Sequence, residues 1–158
     1  MKSDRVQFKA NTVTPMLAVK DAEAALTWYT RVFQAVEVLR LRDPQNGTVA
    51  HAELHIGEGR IMIAEEHPDY NRSPSTLHGS SVILHIYVPN VDEVVVRAVK
   101  EGAKLIFPVR DQFYGERSGR FEDPFGHLWI VSTLLREIPP GEMQRLFNEM
   151  MLRNELKS

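Results

Sequence analysis

Hydrophobic and polar positions alternate along residues 13–19, and the pattern then changes period at Lys20-Asp21. Beyond it, Ala22, Ala25, Leu26, Tyr29 and Phe33, with Val32 alongside, recur at helical spacing, which predicts one buried helix face entered through an Asp21 N-cap. Residues 36–41 read as a strand, Asp43-Pro-Gln-Asn-Gly47 as a hairpin turn and residues 48–56 as the returning strand. Gly57-Glu-Gly59 turns the chain into a further strand over residues 60–65.

The same succession then restarts. A strand over residues 82–88 precedes a helix over 92–100, which Glu101-Gly-Ala103 closes. Strands near residues 104–109, 119–122 and 127–133 follow, the last two joined by Asp123-Pro-Phe-Gly126, whose residue types suit a type I turn. After Pro139-Pro140, the residues Met143, Leu146, Phe147 and Met150 mark an amphipathic helix that would pack on the domain or on a second subunit. A strand, a helix and three strands, twice over, predict two curved half-sheets, each with a concave face to be closed by the other copy or by a ligand. The fold class expected is α+β: two tandem βαβββ modules forming an eight-stranded open barrel with a central cavity, plus a C-terminal helix. The domain spans residues 1–138, with modules at about 12–66 and 80–134 and a Pro-, Ser-, His- and Asn-rich linker at 67–79; the helix lies within 139–158.

Composition narrows the function classes. In 158 residues, 43% hydrophobic and 25% charged describes an ordinary globular chain with one well-buried core or two half-sized modules. A net charge of −2 gives no electrostatic footprint for nucleic acid or an anionic membrane. No run approaches the roughly 20 apolar residues of a membrane span, and residues 1–11 lack the apolar core of a signal peptide. The absence of cysteine removes disulfides, thiol nucleophiles and thiolate metal sites together, and a cytoplasmic location is expected.

Strand parity separates chemistry from packing. Leu17, Val19, Ala52, Leu54, Leu84, Ile86, Val88, Trp129 and Val131 form an apolar set suited to lying under the helices, with Trp28 and Tyr29 in the core. The opposite parity is mixed: Thr14 and Met16; His51, Glu53 and His55; Ile83, His85 and Tyr87; Leu128, Ile130 and Ser132. Imidazole and carboxylate groups on one face suit metal ligation or acid–base work, and equally a solvated strand face.

The segment from Asp111 to His127 carries a resemblance. Val19-Lys-Asp21 before Ala24-Ala-Leu-Thr-Trp-Tyr29, Val88-Pro-Asn-Val-Asp92 before the second helix, and Glu122-Asp-Pro-Phe-Gly-His127 resemble the vicinal oxygen chelate superfamily of glyoxalase I, fosfomycin and bleomycin resistance proteins and extradiol dioxygenases. Phe113-Tyr-Gly-Glu-Arg-Ser-Gly-Arg120 resembles its uncharacterised glyoxalase-like branch. Registered on that pattern, the positions of the family's metal ligands fall on Thr14, Glu53, Ile83 and Ile130, of which Glu53 alone is a competent ligand. The resemblance therefore implies a small-molecule-binding protein without the usual metal site, sequestering an antibiotic or aromatic metabolite as a resistance-type homodimer. Its ligand-binding residues would be His51, Glu53, His85, Tyr87, Ile130, Gln112, Tyr114 and Arg117, with Arg117 or Arg120 recognising a carboxylate or phosphate. Two alternatives stay open. One is a metal-dependent lyase, isomerase or transferase in which His51, Glu53 and His85 hold Ni, Zn, Mn or Fe, with Glu53 as the catalytic candidate; the other is an interaction module without a ligand.

Overall fold

The computed structural model describes residues 13–155. Expectations for residues 1–12 and 156–158, including the polar start and the extreme end of the C-terminal helix, lie outside the described residues. The chain divides into two units after Ser73, within the predicted linker.

The first unit runs β1 (Met16–Val19), α1 (Ala22–Phe33), β2 (Val36–Arg42), β3 (Val49–Ile56) and β4 (Gly59–Glu65), with the strands ordered β1-β4-β3-β2. The second holds a short α2 (Pro74–Leu77), then β5 (Ile83–Tyr87), α3 (Val91–Lys100), β6 (Lys104–Asp111), β7 (Glu116–Glu122), β8 (Leu128–Leu134) and α4 (Pro140–Glu155), ordered β5-β8-β7-β6. The first strand of each unit pairs parallel with the last, and the other pairings are antiparallel. The tandem βαβββ plan is thus present as two four-stranded sheets of identical order, which hydrogen bonding does not close into one barrel.

Local chemistry starts each helix. The Asp21 carboxylate accepts from the Ala24 N–H at 2.9 Å, and Asn90 Oδ1 accepts from the Glu93 N–H at 3.3 Å, so α3 begins at Val91, one residue before the expected start. In the first unit α1 buries Ala22, Ala25, Leu26, Trp28, Tyr29, Val32 and Phe33, where the sheet contributes Leu17, Val19, Ala52, Leu54 and Ile63. In the second, Val91, Val94, Val95 and Ala98 of α3 cover the face bearing Phe121, Trp129 and Val131. Each large apolar side chain buried this way contributes about 1.5–3 kcal/mol. Leu84 and Ile86 are only half-buried because β5 is an edge strand.

Asp123 shows why the Asp-Pro-Phe-Gly turn matters for the second sheet. Its Oδ1 accepts from the Phe125 and His127 N–H groups, both at 2.9 Å, and its Oδ2 from Trp129 Nε1 at 2.8 Å. One buried carboxylate thereby sets the turn and orients the largest core side chain. The main departure from expectation is β7, which begins at Glu116 rather than residue 119. The hairpin before it is tighter than the sequence suggests: Gly115 adopts φ +85°, and the Leu135 and Arg136 N–H groups donate to its carbonyl. The three added residues move Glu116, Arg117 and Ser118 from a loop into the sheet. Among the described residues, no helix is long and apolar enough to cross a membrane.

Candidate functional site

Each half-sheet carries a polar strip on the face turned away from its helix. In the first, His51, Glu53 and His55 project together from β3, as their spacing requires. His51 Nε2 lies 3.4 Å from Glu53 Oε1. Arg60, which β4 places opposite His55, donates from Nε to His55 Nε2 at 3.3 Å and lies 3.6 Å from Glu53 Oε2 through Nη1. A guanidinium therefore already occupies the cationic position between the carboxylate and an imidazole.

The second strip is built differently. Glu116, Ser118 and Arg120 of β7 share a face with Ile130 and Ser132 of β8 and with His85 and Tyr87 of β5, as register dictates. Tyr87 Oη donates to Glu116 Oε1 at 2.7 Å. The His85 ring stacks on Tyr87 at 4.7 Å, and its Nε2 is 2.8 Å from Ser132 Oγ and 3.5 Å from Glu116 Oε2. The hydrogen bond to Glu116, with burial and carboxylate repulsion of a phenolate, pushes the Tyr87 phenol above the ordinary tyrosine range. A Ser–His–acid relay is excluded by the geometry: both partners approach the same ring nitrogen, and Ser132 is fully buried. Glu116 Oε2 is buried with no hydrogen-bond partner among the described residues, and so is Arg120 Nε.

Beside this strip lies a cavity of about 340 Å³, lined by Phe107, Arg110, Gln112, Tyr114, Ser118, Gly119, Arg120 and Ile130. Pro108 explains part of its shape. Proline offers no N–H to the β6–β7 ladder, whose register slips on either side of Phe107, and Phe107 and Arg110, three residues apart, both line the cavity. Arg120 lies over the Phe107 ring at 5.9 Å, and Tyr114 Oη is 3.1 Å from Ser118 Oγ. Neither Arg110 nor Arg120 has a carboxylate partner among the described residues, an arrangement that leaves positive charge facing a partly apolar cavity. Gly119 admits α3 closely on the opposite side, where a β-carbon would meet Val109 and Val95.

The site residues expected from sequence belong to both units. Gln112, Tyr114 and Ile130 line the cavity, and His85 and Tyr87 form the adjoining network. His51 and Glu53 lie in the first unit. Arg117 takes the helix-side parity of β7, where Nε and Nη2 donate to the Asp92 carboxylate, each at 2.8 Å, and Nη1 donates to Asp111 at 2.9 Å. Those bonds hold the guanidinium protonated and draw the Asp92 carboxyl below its ordinary range. The arginines that line the cavity are Arg110 and Arg120 instead. Glu116, Ser118, Phe107, Arg110 and Arg60 were not singled out from sequence. The alternation Glu116-x-Ser118-x-Arg120-x-Glu122 is the signal that marks the first two once β7 starts at residue 116.

As for a divalent metal, the donor chemistry does not fit within either unit. Ile83 and Ile130 offer no ligand atom, Glu53 is already matched by Arg60, and no three His, Asp or Glu side chains among the described residues group as a metal set.

The pattern of the glyoxalase/bleomycin resistance protein/dioxygenase superfamily matches residues 10–131. An uncharacterised protein of Mycobacterium bovis is 35% identical over 136 residues, covering 84% of this chain and 89% of its own. Among solved structures, TioX from a Micromonospora species is 30% identical, with a TM-score of 0.62 over 80% of this chain and 100% of that one. The fosfomycin resistance protein FosX of Mesorhizobium loti shares the fold at 21% identity and a TM-score of 0.55, over 78% of this chain and 91% of its own. With its repeated sheet order and this match, the chain belongs to the glyoxalase/bleomycin resistance protein/dioxygenase superfamily.

Proposed function

We propose that this chain binds and sequesters a small organic anion with an aromatic or apolar body, without a metal, as a cytoplasmic homodimer. The observation that carries the reading is the pair Arg110 and Arg120, which face one cavity without a carboxylate partner among the described residues, one of them with a buried N–H that lacks an acceptor. Guanidinium groups that line a partly apolar cavity without a carboxylate are suited to charge-assisted hydrogen bonds with a bound carboxylate, phosphonate or phosphate. Phe107, Tyr114 and Ile130 supply the apolar wall, and Gln112 and Ser118 the neutral polar contacts, the usual recipe for a small-molecule pocket. Such an anion falls within the antibiotic and aromatic-metabolite class that the resemblance suggests.

Metal independence is supported by Thr14, Ile83 and Ile130 at the positions where the resemblance expects ligands. The homodimer is supported by Val36, Leu41 and Leu105, which β2 and β6 leave exposed.

Calorimetric titration with a panel of aromatic carboxylates and fosfomycin tests the reading. Binding of at least one compound, weakened about tenfold or more by Arg120→Gln, is the expected result. No binding by any anion, or binding indifferent to Arg120, would overturn it and favour the interaction-module alternative.

A further inference from the structure

Two hydroxyls meet inside the cavity. Tyr114 Oη and Ser118 Oγ lie 3.1 Å apart, and both side chains line the space. Two hydroxyls joined by one hydrogen bond commit one proton to it, whichever oxygen donates, and leave the other proton over.

Among the described residues, no neighbour takes that proton. Ser118 is buried, and opposite it on β8 the Ser132 hydroxyl is engaged by His85 Nε2 at 2.8 Å. Glu116, two residues before Ser118 on the same face, accepts from Tyr87 on Oε1, and its Oε2 lacks a hydrogen bond, so neither hydroxyl of the pair reaches it. The pair therefore keeps one O–H without an acceptor beside a partly apolar cavity, where an unpaired donor is costly.

Strand register sets this donor among the arginines. Ser118 stands opposite Arg110 on β6, and Arg120 stands opposite Phe107. Directly opposed residues bring their β-carbons within about 5 Å, and the two residues from Ser118 to Arg120 span about 7 Å of β7. Guanidinium groups donate and never accept. Ligand atoms on this part of the wall are thus met chiefly by donors, two cationic and one neutral.

We propose that the Tyr114–Ser118 pair selects ligands in which the aromatic or apolar body bears, besides its anionic group, a neutral oxygen acceptor such as a ketone. The inference rests on the anion-binding reading of the cavity and names the ligand class more closely: an acyl-substituted aryl acid rather than a plain one. Arg110 and Arg120 hold the anion, and the hydroxyl pair sets the choice among anions.

Two benzoates of nearly equal shape test it, para-acetylbenzoate and para-isopropylbenzoate, titrated calorimetrically into the full chain. They share the ring and the carboxylate and differ in whether the para substituent offers a carbonyl oxygen. The ketone should bind about fivefold or more tighter, although its counterpart is the more apolar, because only the ketone accepts the spare proton. Tyr114→Phe with Ser118→Ala should abolish or reverse that preference; taking both partners of a hydrogen bond away together leaves no polar orphan, so the paired change spares the fold. Equal affinities or a preference for the isopropyl compound in the unaltered chain, or a ketone preference that survives the double substitution, overturn the role of the hydroxyl pair and leave the anion-binding reading standing. Failure of both benzoates to bind, or binding indifferent to Arg120→Gln, overturns the anion-binding reading and this inference together.

Discussion

The two half-sheets share one strand order and differ in how their polar strips are satisfied. In the first, Glu53 has Arg60 and His51 at hand, and His55 accepts from the same arginine, so the strip is internally matched. In the second, Glu116 keeps one buried oxygen without a hydrogen bond, with only His85 at 3.5 Å, and Arg120 keeps a buried N–H without an acceptor, although the two share a strand face. Evenly matched charges stabilise a fold; charges held apart by four residues of β7 leave capacity for something else. The strip that looks most like a metal site in sequence is thus the more self-contained, and the strip with unmet demand is the candidate for function.

Four experiments would break or sharpen that contrast. The largest expected effect is at the hairpin tips that precede each strip. Gly47 and Gly115 both have positive φ, +74° and +85°, but Gly47 stands in open space whereas a β-carbon on Gly115 would collide with the Arg136 carbonyl. Gly47→Ala should cost about 1–2 kcal/mol by denaturant unfolding, and Gly115→Ala about 2–4 kcal/mol. Equal costs would show that the post-β8 segment does not clamp the second hairpin.

Next come the two arginines. Arg60→Gln should destabilise by about 1–2 kcal/mol, because it strips Glu53 of its cation in a half-buried setting, whereas Arg120→Gln should be neutral within about 0.5 kcal/mol and lose anion binding. A strongly destabilising Arg120→Gln would assign that residue to the fold rather than to a ligand.

Tyr87 offers a spectroscopic readout of smaller size. Glu116 favours the protonated phenol in the native state, so this bond contributes stability below the ordinary tyrosine pKa and loses it as pH rises through the raised one. Ultraviolet titration of Glu116→Gln should show one tyrosine moving to lower pH; an unchanged titration curve would break the Tyr87–Glu116 pairing. The smallest expected effect is on metal content. Elemental analysis after incubation with Ni, Zn, Mn and Fe should find no near-stoichiometric metal, and tight metal lost on Glu53→Ala would instead establish the displaced His51, Glu53, His85 set.

Much of this architecture is legible in the chain because periodicity reports burial. The change from strand to helical spacing at Asp21 and the restart at residue 82 locate the repeat, and Trp129 and Val131 follow from parity alone. The candidate site is less legible for a specific reason. Glycine at 115 and 119 and the run of charges around Arg117 mimic a solvated hairpin, which conceals the first three residues of β7 and with them Glu116. Arg117 and Arg120 are indistinguishable by composition; only strand parity sends one to Asp92 on α3 and the other to the cavity. Arg110 is hidden further, since the register slip around Pro108 breaks the simple alternation on which such a reading depends.

That slip has a consequence for how the molecule meets its own copies. β6 is an edge of its sheet and exposes Leu105 and Phe107, the composition of a strand that recruits another strand and starts a fibril. The irregular ladder around Pro108 spoils the flat template that a second strand would need. Self-association by strand addition is therefore discouraged at β6, and a second copy meets this region face to face, through side chains, or not at all.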